Sequence, residues 1–299
     1  VITLRPHQHR AVAAMQKHTK GQVIVPTGGG KTLKMIVDTL RQFQSQTPQT
    51  IVVVAPRILL AEQLSSEFLE HITTAAVLHV HSGETHHFST TKPAEIYNWS
   101  RRAYKHQLIF TTYNSLQRLV DAEIDVDTIY FDEAHNSVQR HFFPATEHFA
   151  ANANRCYFFT ATPKHSITIS KPGMNLPEVY GQVICQVPAP ELVEQGYILP
   201  PKVVVKQLPM VQDRQVIFER DADNLLETID DQNLKKILIC ARATKQIVGL
   251  VSQSDFCAQL EQRGYSWMYI TAKTGAVIDG KKVDREKFFD TLNAWGKDS

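Results

Sequence analysis

No apolar run in the 299 residues approaches the ~20 needed to span a bilayer. Nothing near Val1 joins a basic start to an apolar centre, as a signal peptide does. Both absences point to a soluble protein of the cytoplasm, with no membrane partner. The chain also lacks a strong charge of either sign: 32 Lys and Arg against 30 Asp and Glu leave a formal charge of +2. Any nucleic-acid surface must therefore come from local placement of basic groups, because the overall field is weak. The four cysteines, Cys156, Cys185, Cys240 and Cys257, stand far apart and form no CxxC pair. That excludes a zinc ribbon or a disulfide scaffold, and they read as buried thiols in a reducing compartment. Repeats of fixed period and low-complexity tracts are missing too, and the opening on Val1 rather than Met reads as a fragment or a trimmed product.

What is present is an alternation. Short β-branched and aromatic runs at 22–25, 51–55, 75–80, 108–111, 128–131 and 156–160 are separated by stretches with apolar residues at helical spacing, such as 33–44 and 59–70. This is the rhythm of a parallel sheet buried on both faces. The length suits two domains of ~100–200 residues. Residues 1–188 are expected to form an α/β domain, a parallel sheet with helices on both faces. Six prolines from 164 to 201 mark a connector, placed at 189–232. Residues 233–299 then resume an α/β pattern, with a strand at 236–240, a helix at 244–263, a strand at 267–271 and a helix at 281–295.

The strand at 22–25 runs into Pro26-Thr27-Gly28-Gly29-Gly30-Lys31-Thr32, and an amphipathic stretch follows at once. Glycines let successive N–H groups curl around phosphate oxygens, and the helix start adds partial positive charge. Lys31 can reach β and γ phosphates, while the Thr32 hydroxyl can serve as one ligand of Mg²⁺. The strict pattern asks for glycine where this chain has Val25.

A second signal sits at the end of the 128–131 run, where Asp132 and Glu133 meet the edge at which parallel sheets bind ligands. Adjacent carboxylates suit two roles: Asp132 can hold Mg²⁺, and Glu133 can orient and deprotonate a water.

Together these stretches resemble helicase superfamily 2. Pro26 to Thr32 is similar to its PTGxGKT loop, which tolerates a residue such as Val25, and Asp132-Glu133-Ala134-His135 spells its DEAH box. The resemblance implies a RecA-like fold for residues 1–188, with 233–299 as part of a second RecA-like domain, ATP and Mg²⁺ as cofactors, and hydrolysis that drives movement along a strand. It assigns Lys31, Asp132, Glu133 and His135 to catalysis. Phe159-Thr160-Ala161-Thr162-Pro163 resembles the family's coupling motif, so Thr160 and Thr162 would link His135 to domain movement. Leu4-Arg5-Pro6-His7-Gln8 resembles the adenine-recognition segment of DNA translocases, including restriction-enzyme motor subunits. By that likeness Arg5 and Gln8 join Thr27, Gly28, Gly29, Gly30, Lys31 and Thr32 in binding nucleotide. Arg57, Thr111 and Thr112 fall in segments resembling strand-contacting motifs, against the alternative of a solvated helix start and ordinary strand ends.

DNA is favoured over RNA by the opening segment and by Gly196-Tyr197-Ile198-Leu199-Pro200, which look like restriction and phage-type motors, and a nuclease or another subunit is a candidate partner. A non-catalytic ATP-binding module of a larger complex is the rival reading, and RNA helicase the other. The arginine-bearing motif of a second RecA-like domain does not occur in the sequence, which implies weak turnover by this chain alone. His79, His81, His86 and His87 have only Glu84 nearby in sequence as a further ligand, so they read as structural rather than as a zinc site. Trp99 with Arg101, Arg102 and Lys105 reads as a helix with a solvated charged face.

Overall fold

The computed structural model describes residues 2–102, 104–168, 170–272 and 274–297. The chain divides into two units, Val1–Lys202 and Val203–Ser299.

The first unit is built on seven strands: β1 (Lys20–Ile24), β2 (Thr50–Ala55), β3 (Ala76–Val80), β4 (Gln107–Thr112), β5 (Thr128–Phe131), β6 (Arg155–Thr160) and β7 (Val183–Gln186). They pair in the order β3-β4-β2-β5-β6-β1-β7, every pairing parallel. Six of the seven coincide with the runs expected from the sequence. Interleaved with them are α1 (Pro6–Lys17), α2 (Lys31–Gln42), α3 (Ile58–Leu69), α4 (Pro93–Arg101), α5 (Leu116–Asp121), α6 (Phe143–Asn152), α7 (Pro177–Tyr180) and α8 (Ala189–Glu194). The strands read as continuous apolar runs because both faces are covered. Ile51, Val53 and Ala55 of β2 enter one core, Val52 and Val54 the other. Each valine or isoleucine among them, taken from water, contributes roughly 1.5–3 kcal/mol.

A buried ionic knot closes the edge of the sheet where these strands begin. Arg155, at the start of β6, donates two hydrogen bonds of 2.8 Å to the fully buried Asp38 of α2, and the Tyr130 hydroxyl of β5 donates to the same carboxylate at 2.5 Å. Asp38 and Tyr130 lie far apart in sequence, so the knot sets where α2 sits over β5 and β6. That fixes the position of the loop before α2 from below.

The seventh strand was not expected: β7 lies inside the proline-rich 164–201 stretch and adds to β1 at the sheet edge. Its short, half-exposed pattern carried no periodic signal.

The second unit contains α9 (Arg214–Gln232), α10 (Thr244–Ser252), α11 (Phe256–Gln262), β8 (Met268–Thr271), β9 (Gly275–Ile278), β10 (Lys281–Val283) and α12 (Arg285–Lys297). Ala222, Leu226, Ile229, Leu250, Phe256 and Leu260 form its helical core. Three expectations are corrected. Residues 236–240 form no strand; Ile237 and Ile239 pack on the helical core instead. The helix expected over 244–263 is two helices, broken where the Ser254 hydroxyl donates to Leu250 O at 2.5 Å and accepts the Phe256 N–H. The helix expected from 281 starts at Arg285, because Lys281–Val283 pairs antiparallel with β9 through Asp279-Gly280, both at positive φ, the Asp-Gly signature of a tight hairpin. Asp284 caps the helix by accepting the Lys287 N–H at 2.7 Å. The three strands of this unit are antiparallel, and no parallel sheet occurs among its described residues.

Among the described residues no helix is long and apolar enough to cross a membrane. Cys156 and Cys185 are buried as expected, but Cys240 is exposed and Cys257 half-buried. Trp99 packs against the core from α4, and Arg101 and Arg102 are exposed.

Candidate nucleotide site

Strand order brings three separate motifs to one place. β5, β6 and β1 are neighbours, so the segments that leave their carboxyl ends, at 132–135, 160–162 and 26–32, share one edge of the sheet. A ligand reaching that edge meets all three at once.

The loop from Pro26 to Gly30 needs its glycines. Gly28 and Gly30 have φ of +82° and +68°, in the left-handed region that side chains disfavour. A Cβ on Gly29 would lie 2.3 Å from Val25 Cγ1, and one on Gly30 would lie 2.2 Å from Gln8 Nε2. The carbonyls of the loop turn inward. Gly29 O accepts hydrogen bonds from His7 Nε2 at 2.9 Å and from Lys34 Nζ at 2.7 Å, while Gly30 O lies 3.3 Å from Lys34 Nζ. Because each peptide is planar and trans, a carbonyl turned into the protein points the next N–H the other way. The N–H groups of Gly30 and Lys31 thus face outward at the start of α2, where helical N–H groups have no acceptor of their own. Outward N–H groups at a helix start are donors suited to an anion.

His7 and Lys34 were not singled out from sequence. Both are fully buried. Burial pulls Lys34 down to about 8, and a lysine three positions after Lys31, on the face turned toward the core, is the sequence signal that could have found it. His7 is lowered by burial as well, with Nδ1 lacking any partner, so its single proton resides on Nε2 against Gly29 O.

Opposite the loop, the Lys31 ammonium is ion-paired with the Glu133 carboxylate. Glu133 has φ of +46°, an uncommon backbone conformation for a residue with a side chain. Its other oxygen lies 3.5 Å from His135 Nδ1. Burial raises the Asp132 carboxyl to about 6, with Lys31 opposing and Glu133 adding to the shift. The backbone there is held on two sides: Asp132 N–H donates to Val54 O and the Tyr113 hydroxyl donates to Asp132 O, both at 2.8 Å. Thr160 Oγ1 is 2.9 Å from His135 Nδ1 and accepts the Thr162 N–H at 3.1 Å. Burial lowers His135, which favours its neutral ring beside Thr160.

The remaining candidates are placed as follows. Thr27 is exposed on the loop and Thr32 half-buried in the first turn of α2. Gln8 Oε1 accepts the Arg5 N–H at 2.8 Å and its amide nitrogen lies 3.5 Å from Gly30 O; the Arg5 guanidinium sits 4.3 Å over the Tyr197 ring. Arg57 is exposed immediately before α3. Thr111 is different: it is fully buried and its hydroxyl donates to Val80 O at 2.8 Å, so that hydroxyl shapes the end of β4. Thr112 is buried beside it.

With a glycine loop, a paired lysine and an acidic pair at one edge of a RecA-like parallel sheet, the chain resembles the helicase-like motors of superfamily 2. Residues 1–165 match the family described as Type III restriction enzyme, res subunit, and the chain belongs to that family. The fold is similar to that of a nuclease-deletion mutant of the Type ISP restriction-modification enzyme LlaGI, solved in complex with a DNA substrate mimic (20% identity, 79% of this chain and 23% of that one, TM-score 0.55). It is similar also to the ATP-dependent Type ISP restriction-modification enzyme LlaBIII bound to DNA (18% identity, 65% of this chain and 16% of that one, TM-score 0.54). The chain thus spans less than a quarter of either enzyme's length. No curated protein matches it.

Proposed function

We propose that this chain is the nucleotide-binding half of an ATP-driven DNA translocase or helicase, with ATP and Mg²⁺ at the edge formed by β1, β5 and β6. The observation that carries the reading is the Lys31–Glu133 ion pair, which puts a phosphate-binding ammonium and a candidate base face to face beside Asp132.

Arg5 and Gln8 stand beside the loop where a base would lie, and the outward N–H groups of Gly30 and Lys31 bind phosphate oxygens. Lys31 exchanges its carboxylate partner for the β and γ phosphates. Thr32 and Asp132 would hold Mg²⁺, which would supply neutralisation of the phosphate charge. Glu133, released by Lys31, orients the attacking water and accepts its proton. Phosphate departure is sensed through His135, whose contact with Thr160 continues to the Thr162 backbone and so out of the site. Arg57 offers its guanidinium to a strand's phosphates without reading sequence, and Thr111 and Thr112 set the end of β4 nearby. Residues 233–299 belong, in this reading, to part of a second RecA-like domain, joined by a connector at 189–232. DNA as partner is supported by the DNA complexes of LlaGI and LlaBIII. Glu133, set between Lys31 and His135, favours hydrolysis over a module that only binds ATP.

The test is phosphate release with Mg²⁺ in the presence of single-stranded DNA, duplex DNA or RNA, alongside calorimetric ATP binding. Binding dependent on Lys31 and turnover raised by DNA are expected; stimulation by RNA alone would reassign the partner, and no ATP binding would end the proposal.

A further inference from the structure

The fold assembles a cluster that the linear sequence does not contain. Glu62, in the second turn of α3, meets His79 at the end of β3 and His81 just after it. Glu62 Oε1 lies 3.0 Å from His79 Nδ1 and 3.1 Å from His81 Nε2, and the two nitrogens are 3.1 Å apart. Among the described residues this is the sole group of three such side chains with converging ligand atoms.

We propose that Glu62, His79 and His81 form a binding site for a divalent transition-metal ion of the zinc type, separate from the Mg²⁺ of the nucleotide edge. Three atoms about 3 Å apart can all stand about 2.1 Å from one point, the bond length zinc keeps to nitrogen and oxygen, with angles of about 90° between them. This is the facial arrangement of two imidazoles and a carboxylate, which leaves further positions open. Both imidazoles are fully buried, as is the Glu62 Oε1 atom that faces them, while the rest of the Glu62 side chain is partly exposed.

Hydrogen bonding alone leaves the cluster incomplete. Glu62 Oε1 is buried and neither ring N–H is aligned to donate to it, despite the ion-pair distances. The protons have a consistent placement elsewhere. Gly83 N–H donates to His81 Nδ1 at 3.2 Å, which puts the His81 proton on Nε2, facing His79 Nδ1; the His79 proton then resides on Nε2, 2.9 Å from Ser65 Oγ. An orphaned carboxylate oxygen beside two imidazole nitrogens is what a cation would satisfy.

The surroundings also suit a metal. His79 already presents a bare Nδ1, with Ser65 holding the far side of the ring as second-sphere partners do. The other oxygen of Glu62 accepts the Thr85 hydroxyl at 3.2 Å. For His81 to join, its proton must move from Nε2 to Nδ1, which breaks the Gly83 contact and reshapes the 82–85 turn. Imidazole ligands favour zinc, cobalt or nickel over magnesium or calcium. Once bound, the ion links the start of α3, next to Arg57, to the end of the edge strand β3.

The experiment uses the full chain after treatment with a chelator, titrated with Zn²⁺ or Mg²⁺ by calorimetry and with Co²⁺ by visible absorption. One Zn²⁺ per chain, d–d bands with Co²⁺ and no signal from Mg²⁺ at this site are expected. Glu62→Gln and His81→Gln should each weaken Zn²⁺ binding by roughly 100-fold, while circular dichroism confirms that they fold. Wild-type protein that shows no Co²⁺ bands, or variants that bind Zn²⁺ as tightly as wild type, would overturn the proposal. ATP binding is measured in parallel, so that a failure at the nucleotide edge is seen separately.

Discussion

Lys31 and Glu133, 102 residues apart in sequence, form an ion pair across the edge of the sheet, each holding the other where nucleotide chemistry requires it. Phosphate and Glu133 compete for the same ammonium. Lys31→Ala should weaken ATP binding by on the order of 100-fold or more, because the loop loses its only charge directed at the phosphates. Glu133→Gln should keep ATP affinity within a few-fold and lower turnover by roughly 10²–10⁴. Calorimetry and phosphate release on the same preparations separate the two; a Glu133→Gln protein that still turns over normally would remove Glu133 from the reaction.

Asp132 makes turnover and stability respond to pH in opposite ways. Burial raises its carboxyl to about 6, and Mg²⁺ needs the ionised form, so Mg²⁺-dependent hydrolysis should decline as pH falls through about 6. A folded value above the unfolded one, about 4, means that ionised Asp132 weakens the fold above pH 6. That penalty fades as pH falls toward 4 and the proton binds. Asp132→Asn should therefore raise Tm at pH 8 and leave it unchanged near pH 4. Partial exposure trims the gain to on the order of 1 kcal/mol, about 2–4 °C for a chain of this size. Equal shifts at both pH values would contradict it.

Thr160→Val removes one hydroxyl that serves two partners, His135 Nδ1 and the Thr162 N–H. The shape is kept, and the lost bonds are worth about 1–3 kcal/mol. ATP binding should persist while stimulation of hydrolysis by DNA drops by about tenfold or more. The ratio of stimulated to basal turnover is the measurement, and an unchanged ratio would detach Thr160 from coupling.

Arg155→Met strands Asp38 as an unpaired buried charge. Breaking such a pair from one side costs about 3–5 kcal/mol, read as a fall in the urea midpoint. Asp38→Asn with Arg155→Met together should recover part of that loss. A single variant as stable as wild type would show that the knot does not hold α2 in place.

Much was legible in the sequence because the relevant signals are local. A glycine loop between a strand and a helix needs only seven adjacent residues, and the six strands found in advance are runs of 4–6 residues buried on both faces, which read as unbroken apolar stretches. β7 was missed because it gains its strand conformation from β1, not from its own pattern. The β9–β10 hairpin could have been read from Asp279-Gly280, yet helical spacing beyond it masked the turn.

Sequence by itself determined the motifs, their order and the parallel sheet, since each follows from covalent neighbours and from which residues leave water. Tertiary structure decided the rest. That His7 holds the Gly29 carbonyl, that Glu133 pairs with Lys31 and that Glu62 reaches His79 and His81 all depend on how the strands and helices pack. Strand order brings Glu133 to Lys31 from 102 positions away, and no short window along the chain contains that pairing.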